Sequence, residues 1–353
     1  MRMSDAAGSV LLGTGDVARL EGRACEAYDM PYAVAVSSAT TALMGAALAL
    51  GLKRSRIATT PWSWGGILGP ALLLENQVEF CDVDRETLTL DPAAVHAAMT
   101  PATRAIVAAH VDGVPCDAKG LRSVADQNGA YLIIDAAQGF GALRDGMPAG
   151  NLADVLVLSF GDGKGLAAGG GGMALMRRPE VFERFLFYTQ HPCRQRRQVG
   201  LALDNEFALN GRIHPAAAAA AAENFDAALA EAEVRRRAGF RMLETLNRSG
   251  LVQPLDYPSR AIEPSFERVT AAWKSRRRPG REERLLERLR ERGLHATLRR
   301  PSVRLLYRQP AFRAQYQDLC VEKPCCPVAE DQVRRRFELV SADGMSSEKS
   351  EVA

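Results

Sequence analysis

The sequence predicts an α/β fold: a doubly wound, mainly parallel sheet with helices on both faces, joined to a smaller C-terminal α+β lobe. Three observations predict it. Short apolar runs rich in Val, Ile and Leu alternate with stretches of helical spacing from residue 16 to residue 176, the pattern of strands linked by crossover helices. Residues able to do chemistry, Thr40, Trp64, Asp135, Gln138, Ser159 and Lys164, fall at or just beyond the C-terminal ends of those runs, where open α/β sheets bind ligands. Beyond Pro179 the alternation stops, and a long alanine-rich helical stretch leads into short strands and charged helices.

Residues 16–29 place Val17, Leu20, Ala24, Cys25 and Tyr28 at helical spacing, and 32–36 follow as a buried strand. Residues 37–50 open on Ser37, Ser38, Thr40 and Thr41 and continue in strong helix formers. A helix start of this kind binds phosphate, because its unpaired N–H groups and its dipole face the anion; an ordinary helix cap is the competing reading. The strand at 57–60 ends in Pro61-Trp62-Ser63-Trp64-Gly65-Gly66, where an indole could wall a flat ring or simply pack. A helix toward Leu74, a strand at 78–81, a helix opened by Asp91-Pro92, a strand at 104–109 and a helix at 117–128 repeat the unit. Tyr131-Leu-Ile-Ile-Asp135-Ala-Ala-Gln138 then ends a buried strand on a carboxylate. Residues 155–159 form another buried strand, Lys164 follows in a turn that includes Gly169 to Gly172, and 173–176 is a second apolar run. Further on, 180–188 reads as a helix, 191–198 as a basic loop and 214–247 as a long helix. The C-terminal stretch gives strands at 266–271, 295–298 and 337–340 and helices at 281–292, 310–319 and 327–335. The expected organisation is a tail at 1–12, a large domain at 13–212, a connecting helix at 213–248, a small α+β domain at 249–341 and a disordered tail at 342–353.

Composition narrows the function. A chain of 353 residues that is 47% hydrophobic can bury a large core, as an enzyme needs. Its net charge of +3 does not call for nucleic acid, and the basic excess near 274–292 is interleaved with Glu282, Glu283, Glu287 and Glu291 around Leu285, Leu286 and Leu289, a solvated helix face. No segment has the apolar length of a membrane helix or the form of a secretion leader, which predicts a cytoplasmic location. The seven cysteines lack C-x-x-C spacing, so reduced thiols are expected and no metal site.

Lys164 invites three readings. A lysine in a loop is ordinarily solvated. A phosphate-binding P-loop would need Ser or Thr after the lysine and a glycine where Leu158 stands, and Gly165 and Leu158 do not fit. The third reading is an amine that forms an imine with a carbonyl cofactor, since a partly desolvated site favours the neutral amine. Lysine at one strand end, carboxylate at another and a phosphate-ready helix start together meet the three needs of pyridoxal 5′-phosphate: an imine link, a partner for the ring nitrogen and a phosphate cradle.

The chain also resembles the DegT/StrS-type sugar aminotransferases among fold type I pyridoxal phosphate enzymes. The resemblance is carried by Ala33-Val-Ala-Val-Ser-Ser-Ala-Thr-Thr-Ala-Leu43, Phe80-Cys-Asp-Val-Asp84, His110-Val-Asp-Gly113, Asp135-Ala-Ala-Gln138, Ser159-Phe-Gly-Asp-Gly-Lys164, Asn210-Gly-Arg212 and Pro327-Val-Ala-Glu330. It implies a seven-stranded-type sheet and a homodimer with shared active sites. It implies that Lys164 is the cofactor lysine, Asp135 the partner of the ring nitrogen and Gln138 the contact to the phenolic oxygen. Ser38, Ala39, Thr40 and Ser159 would hold the phosphate, Asn210 would reach the phosphate in the neighbouring subunit, and Trp64, or else Trp62, would stack on the ring. Ala39, Gly163 and Gly170 depart from the Gly, Thr and acidic residue usual in the family. Some relatives carry histidine at the lysine and dehydrate sugars; the lysine here points to amino transfer.

The resemblance implies an aminotransferase that moves an amino group from an amino acid, glutamate being the expected donor, to a keto sugar or keto cyclitol of specialised-metabolite or glycan biosynthesis. Arg194, Arg196, Arg197 and Arg212 are candidates for acceptor phosphate or donor carboxylate, which a guanidinium grips with two hydrogen bonds; solvated side chains or local ion pairs are the alternative. Two other functions compete: elimination, replacement or cyclisation on the same cofactor, and a pyridoxal phosphate-binding regulatory protein with reduced catalysis.

Overall fold

A computed structural model describes residues 10–200, 204–253, 261–274, 280–301 and 303–341. Of the expected tails, 342–353 and all but residues 10–12 of the first lie outside the described residues. The chain order begins with helix α1 (Asp16–Tyr28), strand β1 (Tyr32–Val36), helix α2 (Ala39–Ala49), strands β2 (Arg56–Thr59) and β3 (Trp62–Ser63), helix α3 (Gly69–Leu73) and strand β4 (Gln77–Phe80). Helix α4 (Pro92–Ala98), strand β5 (Thr103–Ala109), helix α5 (Ala118–Gln127) and strand β6 (Tyr131–Asp135) continue the alternation. A small hairpin, β7 (Leu143–Arg144) and β8 (Met147–Pro148), precedes β9 (Val155–Ser159) and β10 (Gly172–Met176).

These strands form a seven-stranded sheet in the order β1-β10-β9-β6-β5-β2-β4. The run from β9 to β4 is parallel throughout, and β10 alone is antiparallel to its neighbours on both sides. The expected mainly parallel sheet is therefore present. Alternation explains why the strands read as unbroken apolar runs. Leu156 and Leu158 face one apolar layer and Val155 and Val157 the other, as do Ala33 and Ala35 against Val34 and Val36. Both faces are covered, so the sheet's polar chemistry is confined to its ends.

Helices α6 (Pro179–Thr189) and α7 (Pro192–Val199) follow, then α8 (Pro215–Arg248), whose 34 residues extend about 51 Å at 1.5 Å per residue. Residues 191–198 were expected to be a loop, and the structure corrects this. His191 caps α7 by accepting from the Cys193 N–H, Pro192 occupies the first turn, and Gly200 ends the helix with a φ of 60°. The first half of α8 lays Ala217, Ala218, Ala221 and Phe225 on the sheet. Its last turns, through Met242, Leu243 and Leu246, enter a separate apolar cluster with Phe266, Val269, Trp273, Leu285 and Leu339.

The remaining elements are β11 (Ile262–Glu263), β12 (Val269–Ala272), α9 (Arg281–Arg290), β13 (Ala296–Arg299), β14 (Arg304–Leu305), α10 (Pro310–Gln315), α11 (Pro327–Arg335) and β15 (Arg336–Ser341). β12, β15 and β13 make an antiparallel three-stranded sheet. Two expectations shift here. The strand foreseen at 266–271 starts only at Val269, because Phe266 takes a φ of 48°, which no strand allows. The helix foreseen at 310–319 stops at Gln315 and resumes as a short 3₁₀ turn at Gln317–Leu319. Among the described residues no helix is long and apolar enough to cross a membrane, and no group of three or more His, Cys, Asp or Glu is placed to hold a metal ion.

Candidate active site

Lys164 sits in the loop between β9 and β10. The loop is closed at its base by Phe160 N–H to Gly171 O at 3.0 Å and pinned inside by Ala168 N–H to Phe160 O at 2.9 Å. Phe160 and Leu166 are fully buried and anchor it. Gly169, Gly170 and Gly171 have φ of 71°, 145° and 100°, conformations that a side chain would strain, which is why the turn is a glycine run. The Lys164 side chain is 22% exposed and its Nζ donates to Glu267 Oε1 at 3.0 Å.

Asp135 ends β6, the parallel neighbour of β9, and its Oδ1 accepts from the Ala137 N–H at 3.0 Å. Burial raises its pKa, a shift opposed by that N–H and by the Lys164 ammonium and reinforced by Glu267. Gln138 accepts the Asp112 N–H at 2.7 Å through Oε1, which turns the Nε2 donors the other way. Ser159 accepts weakly from the Gly161 N–H at 3.4 Å.

The start of α2 closes the other side. Ser38 caps the helix by accepting from the Thr41 N–H, and Ser37 and Ser38 hydroxyls both lie 2.9 Å from Thr41 Oγ1. Gly172 runs directly beneath: a Cβ there would lie 2.4 Å from Ala39 N and 2.6 Å from the Ser38 carbonyl carbon. The site thus brings the Lys164 loop against the helix start through backbone alone. Trp64 is 68% exposed and shares the flank of Gly66 with Thr40 Oγ1. Trp62, the other candidate for ring stacking, is buried and paired with Leu305, so it is a core residue.

Asn210 is exposed, with a φ of 53°, in a segment tied to its own subunit by Ser37 N–H to Gly211 O at 2.8 Å. It lines an open cavity of about 580 Å³ together with His191, Arg196 and Arg212. Arg196 pairs with Asp204 beside that cavity, and Arg197 is exposed. Arg194 is a correction. Its side chain is 1% exposed and its guanidinium donates to Glu21, Gln190 and Gln198, so it is turned into the fold and not toward a substrate.

Sequence reasoning missed Glu267, Arg268 and Arg235. Arg268 lies 4.0 Å from Glu267, and an Arg235 nitrogen approaches the Cα side of Gly165. Glu267 stands in a stretch read as strand, one acid among the charged residues of the C-terminal third, and no spacing sets it apart.

A lysine and a carboxylate at the ends of a seven-stranded sheet, facing a capped helix start, define the fold type I architecture. The chain belongs to the DegT/DnrJ/EryC1/StrS aminotransferase family, whose sequence model matches residues 3–353. It is 34% identical over 157 residues to a putative L-glutamine:3-amino-2,3-dideoxy-scyllo-inosose aminotransferase of Streptomyces kanamyceticus, covering 44% of this chain and 38% of the relative. It is 45% identical over 103 residues to the L-glutamine:2-deoxy-scyllo-inosose aminotransferase of Streptoalloteichus tenebrarius, covering 29% of this chain and 24% of the relative. The chain thus spans well under half the length of these two curated relatives. In three dimensions it is similar to an aminotransferase from Psychrobacter cryohalolentis, with a TM-score of 0.80 at 20% identity over 99% of this chain and 94% of the other, which bears on the fold.

Proposed function

We propose that the protein is a pyridoxal 5′-phosphate-dependent aminotransferase that acts on a keto cyclitol or keto sugar, including nucleotide-linked ones, in specialised-metabolite or glycan biosynthesis. The observation that carries this reading is Lys164, a half-buried amine at the mouth of the sheet within electrostatic reach of the half-buried Asp135. The residues fit the cofactor in a further respect: Gly172 leaves room for the Lys164 loop and the α2 start to share one backbone cradle. Lys164 would hold the cofactor through Nζ, Asp135 would meet its ring nitrogen, and Gln138 Nε2 its phenolic oxygen. Ser38, Ala39, Thr40 and Ser159 would take the phosphate and Trp64 a ring face. When bound, the cofactor supplies an electron sink for the carbon that carries the amino group.

The chain's own residues do the rest. Asp135 would favour a proton on the ring nitrogen as the anion; burial raises its pKa, and the Ala137 N–H and the Lys164 ammonium pull it back. Lys164 would act through Nζ as the general base that takes a proton from the substrate carbon bearing the amino group and as the general acid that gives it up again. Arg196, Arg212 and His191 at the cavity are the groups this reading assigns to the acceptor or donor. Asn210, exposed beside that cavity, supports a homodimer in which it reaches the partner's phosphate. The separate apolar cluster around Met242 to Leu339 supports the division into a large domain at 13–212, a connecting helix and a small domain at 249–341. Seven free cysteines agree with a cytoplasmic setting.

The test is a half-reaction. The purified protein, loaded with pyridoxal 5′-phosphate, is mixed with L-glutamine or L-glutamate and followed by visible absorbance and by release of the keto acid. Conversion of the cofactor to its amine form with stoichiometric keto acid is expected; loaded protein that reacts with no amino donor would overturn amino transfer in favour of elimination or replacement.

A further inference from the structure

Glu267 reaches the Lys164 amine from the far end of the chain, 103 residues on, and its placement is over-determined. The segment that carries it lies on the Asp112-Gly113 turn: Ser265 N–H donates to Gly113 O at 3.0 Å, Arg268 N–H to Asp112 O at 3.3 Å, and Ser265 Oγ to Gln138 O at 3.4 Å. Gly113 is glycine because a Cβ there would lie 2.7 Å from Glu267 N. The preceding residue, Phe266, holds a left-handed φ of 48°, an outlier for a bulky side chain. It keeps that conformation because its ring fills a notch on α8, where a Cβ on Gly239 would lie 2.3 Å from it. Strain held in place by packing on one side and hydrogen bonds on the other aims one carboxylate, 9% exposed, at one amine.

We propose that Glu267 is a positioning residue for Lys164: its carboxylate fixes Nζ at the mouth of the sheet and, with the cofactor bound, favours a positive charge on the nitrogen that links it. The proposal rests on the cofactor reading above. A carboxylate at hydrogen-bond distance stabilises a cation, and here the site is half closed to water. The other charged groups facing the pair are Asp135, which acts in the same sense, Arg235 and Arg268, which oppose it, and Asp112 behind Arg268. Burial raises the Glu267 pKa, and Lys164, Arg268 and Arg235 pull it back. Because Arg268 is 4.0 Å away and Lys164 3.0 Å, the amine is the nearer partner.

The experiment reads the visible band of the protein loaded with pyridoxal 5′-phosphate as a function of pH, which reports the charge on the nitrogen linked to the cofactor without turnover. Glu267→Gln should lower the midpoint of that titration by about one pH unit or more, and Glu267→Asp should recover part of the fall. An unchanged midpoint in a Glu267→Gln protein that melts like the parent would overturn the proposal. Should Glu267→Gln fail to fold, Arg268→Met is read instead; removing the competing cation should raise the midpoint, and no change overturns the proposal equally. If the parent protein never develops a visible band and borohydride adds no mass at Lys164, the cofactor reading fails and this inference goes with it, a result distinct from a band whose midpoint ignores Glu267.

Discussion

Arg194 and Lys164 each meet a glutamate from a distant part of the chain, Glu21 at 2.8 Å and Glu267 at 3.0 Å, and by distance alone the two pairs are alike. Their surroundings are not. Arg194 is 1% exposed; Nη2 reaches both Glu21 oxygens, Nε reaches Gln198 and Nη1 reaches Gln190, while Glu21 also accepts the Ala35 N–H. Gly13 packs its backbone against the guanidinium, where a Cβ would lie 2.5 Å from Nε. That pair is sealed from water. Lys164 is 22% exposed and has one carboxylate partner at the open end of the sheet. A buried charge marks a reactive site only when a face is open; when it is shut inside the fold among its partners it marks architecture.

Exchanging the two cations for methionine should separate these roles. Lys164→Met is expected to lower turnover by a factor on the order of 10²–10⁴ or more, since it removes the proton-carrying amine, while the protein still folds. Arg194→Met is expected to do the reverse. It strands the Glu21 carboxylate, whose pKa burial already raises against the pull of Arg194, and should cost about 3–5 kcal/mol of stability, read by thermal melting. Turnover by the fraction that remains folded should be close to that of the parent. If Arg194→Met melts normally and raises KM for a phosphorylated acceptor, the distinction between the pairs collapses.

The glycine beneath the helix start sharpens the same contrast from the cofactor side. In Gly172→Ala the new methyl would press on Ala39 N and Ser38 C, backbone atoms that cannot rotate away. An overpacked contact of this kind costs about 1–3 kcal/mol. The displaced amides belong to the proposed phosphate cradle, so the loss should appear as roughly 5- to 150-fold weaker binding of pyridoxal 5′-phosphate, measured by fluorescence or absorbance titration. Equal affinity in a variant with a lowered melting temperature would mean that the cradle lies elsewhere.

How far the sequence carried the reading depended on where the information is stored. The strands of the sheet were legible because both faces are buried, so burial writes itself as contiguous Val, Leu and Ile, and Asp135 and Ser159 stand out as the polar residues that end such runs. Lys164 was legible for the same reason, together with the glycines its turn needs. Arg194 misled because a run of arginines looks ready for an anion, and only the helix of 192–199 turns Arg194 and Gln198 to one face. Glu267 was invisible because its partner is 103 residues away and its conformation is set by Phe266 packing on α8, a tertiary contact with no local spacing. That Trp62 belongs to the core needed the pairing of β3 with β14.

The smallest effect expected concerns the turn on which the Glu267 segment rests, and it would show whether that turn is architecture in the sense of Arg194. Asp112 is 4% exposed, its Oδ1 has no hydrogen-bond partner among the described residues, and Arg268 is 3.9 Å away. Burial, with Glu338 adding repulsion, pushes its pKa from 3.8 up to about 7. Two residues earlier, His110 is 1% exposed and accepts the Cys116 N–H through Nδ1, and burial pushes its pKa from 6.5 down to about 4. The signs oppose each other. A carboxyl raised in the fold contributes stability that is complete below the unfolded value and is lost as pH rises from about 4 to about 7. A histidine lowered in the fold contributes stability that is complete above 6.5 and is lost as pH falls toward 4. Over the shared window the two slopes, each at most about 1.4 kcal/mol per pH unit, offset one another. Asp112→Asn removes one of them. Relative to the parent, the variant's melting temperature should therefore fall as pH is lowered from 6.5 to 4.5, and parallel profiles for the two proteins would mean that Asp112 is ionised in the fold and belongs with Lys164 among the working charges of the cleft.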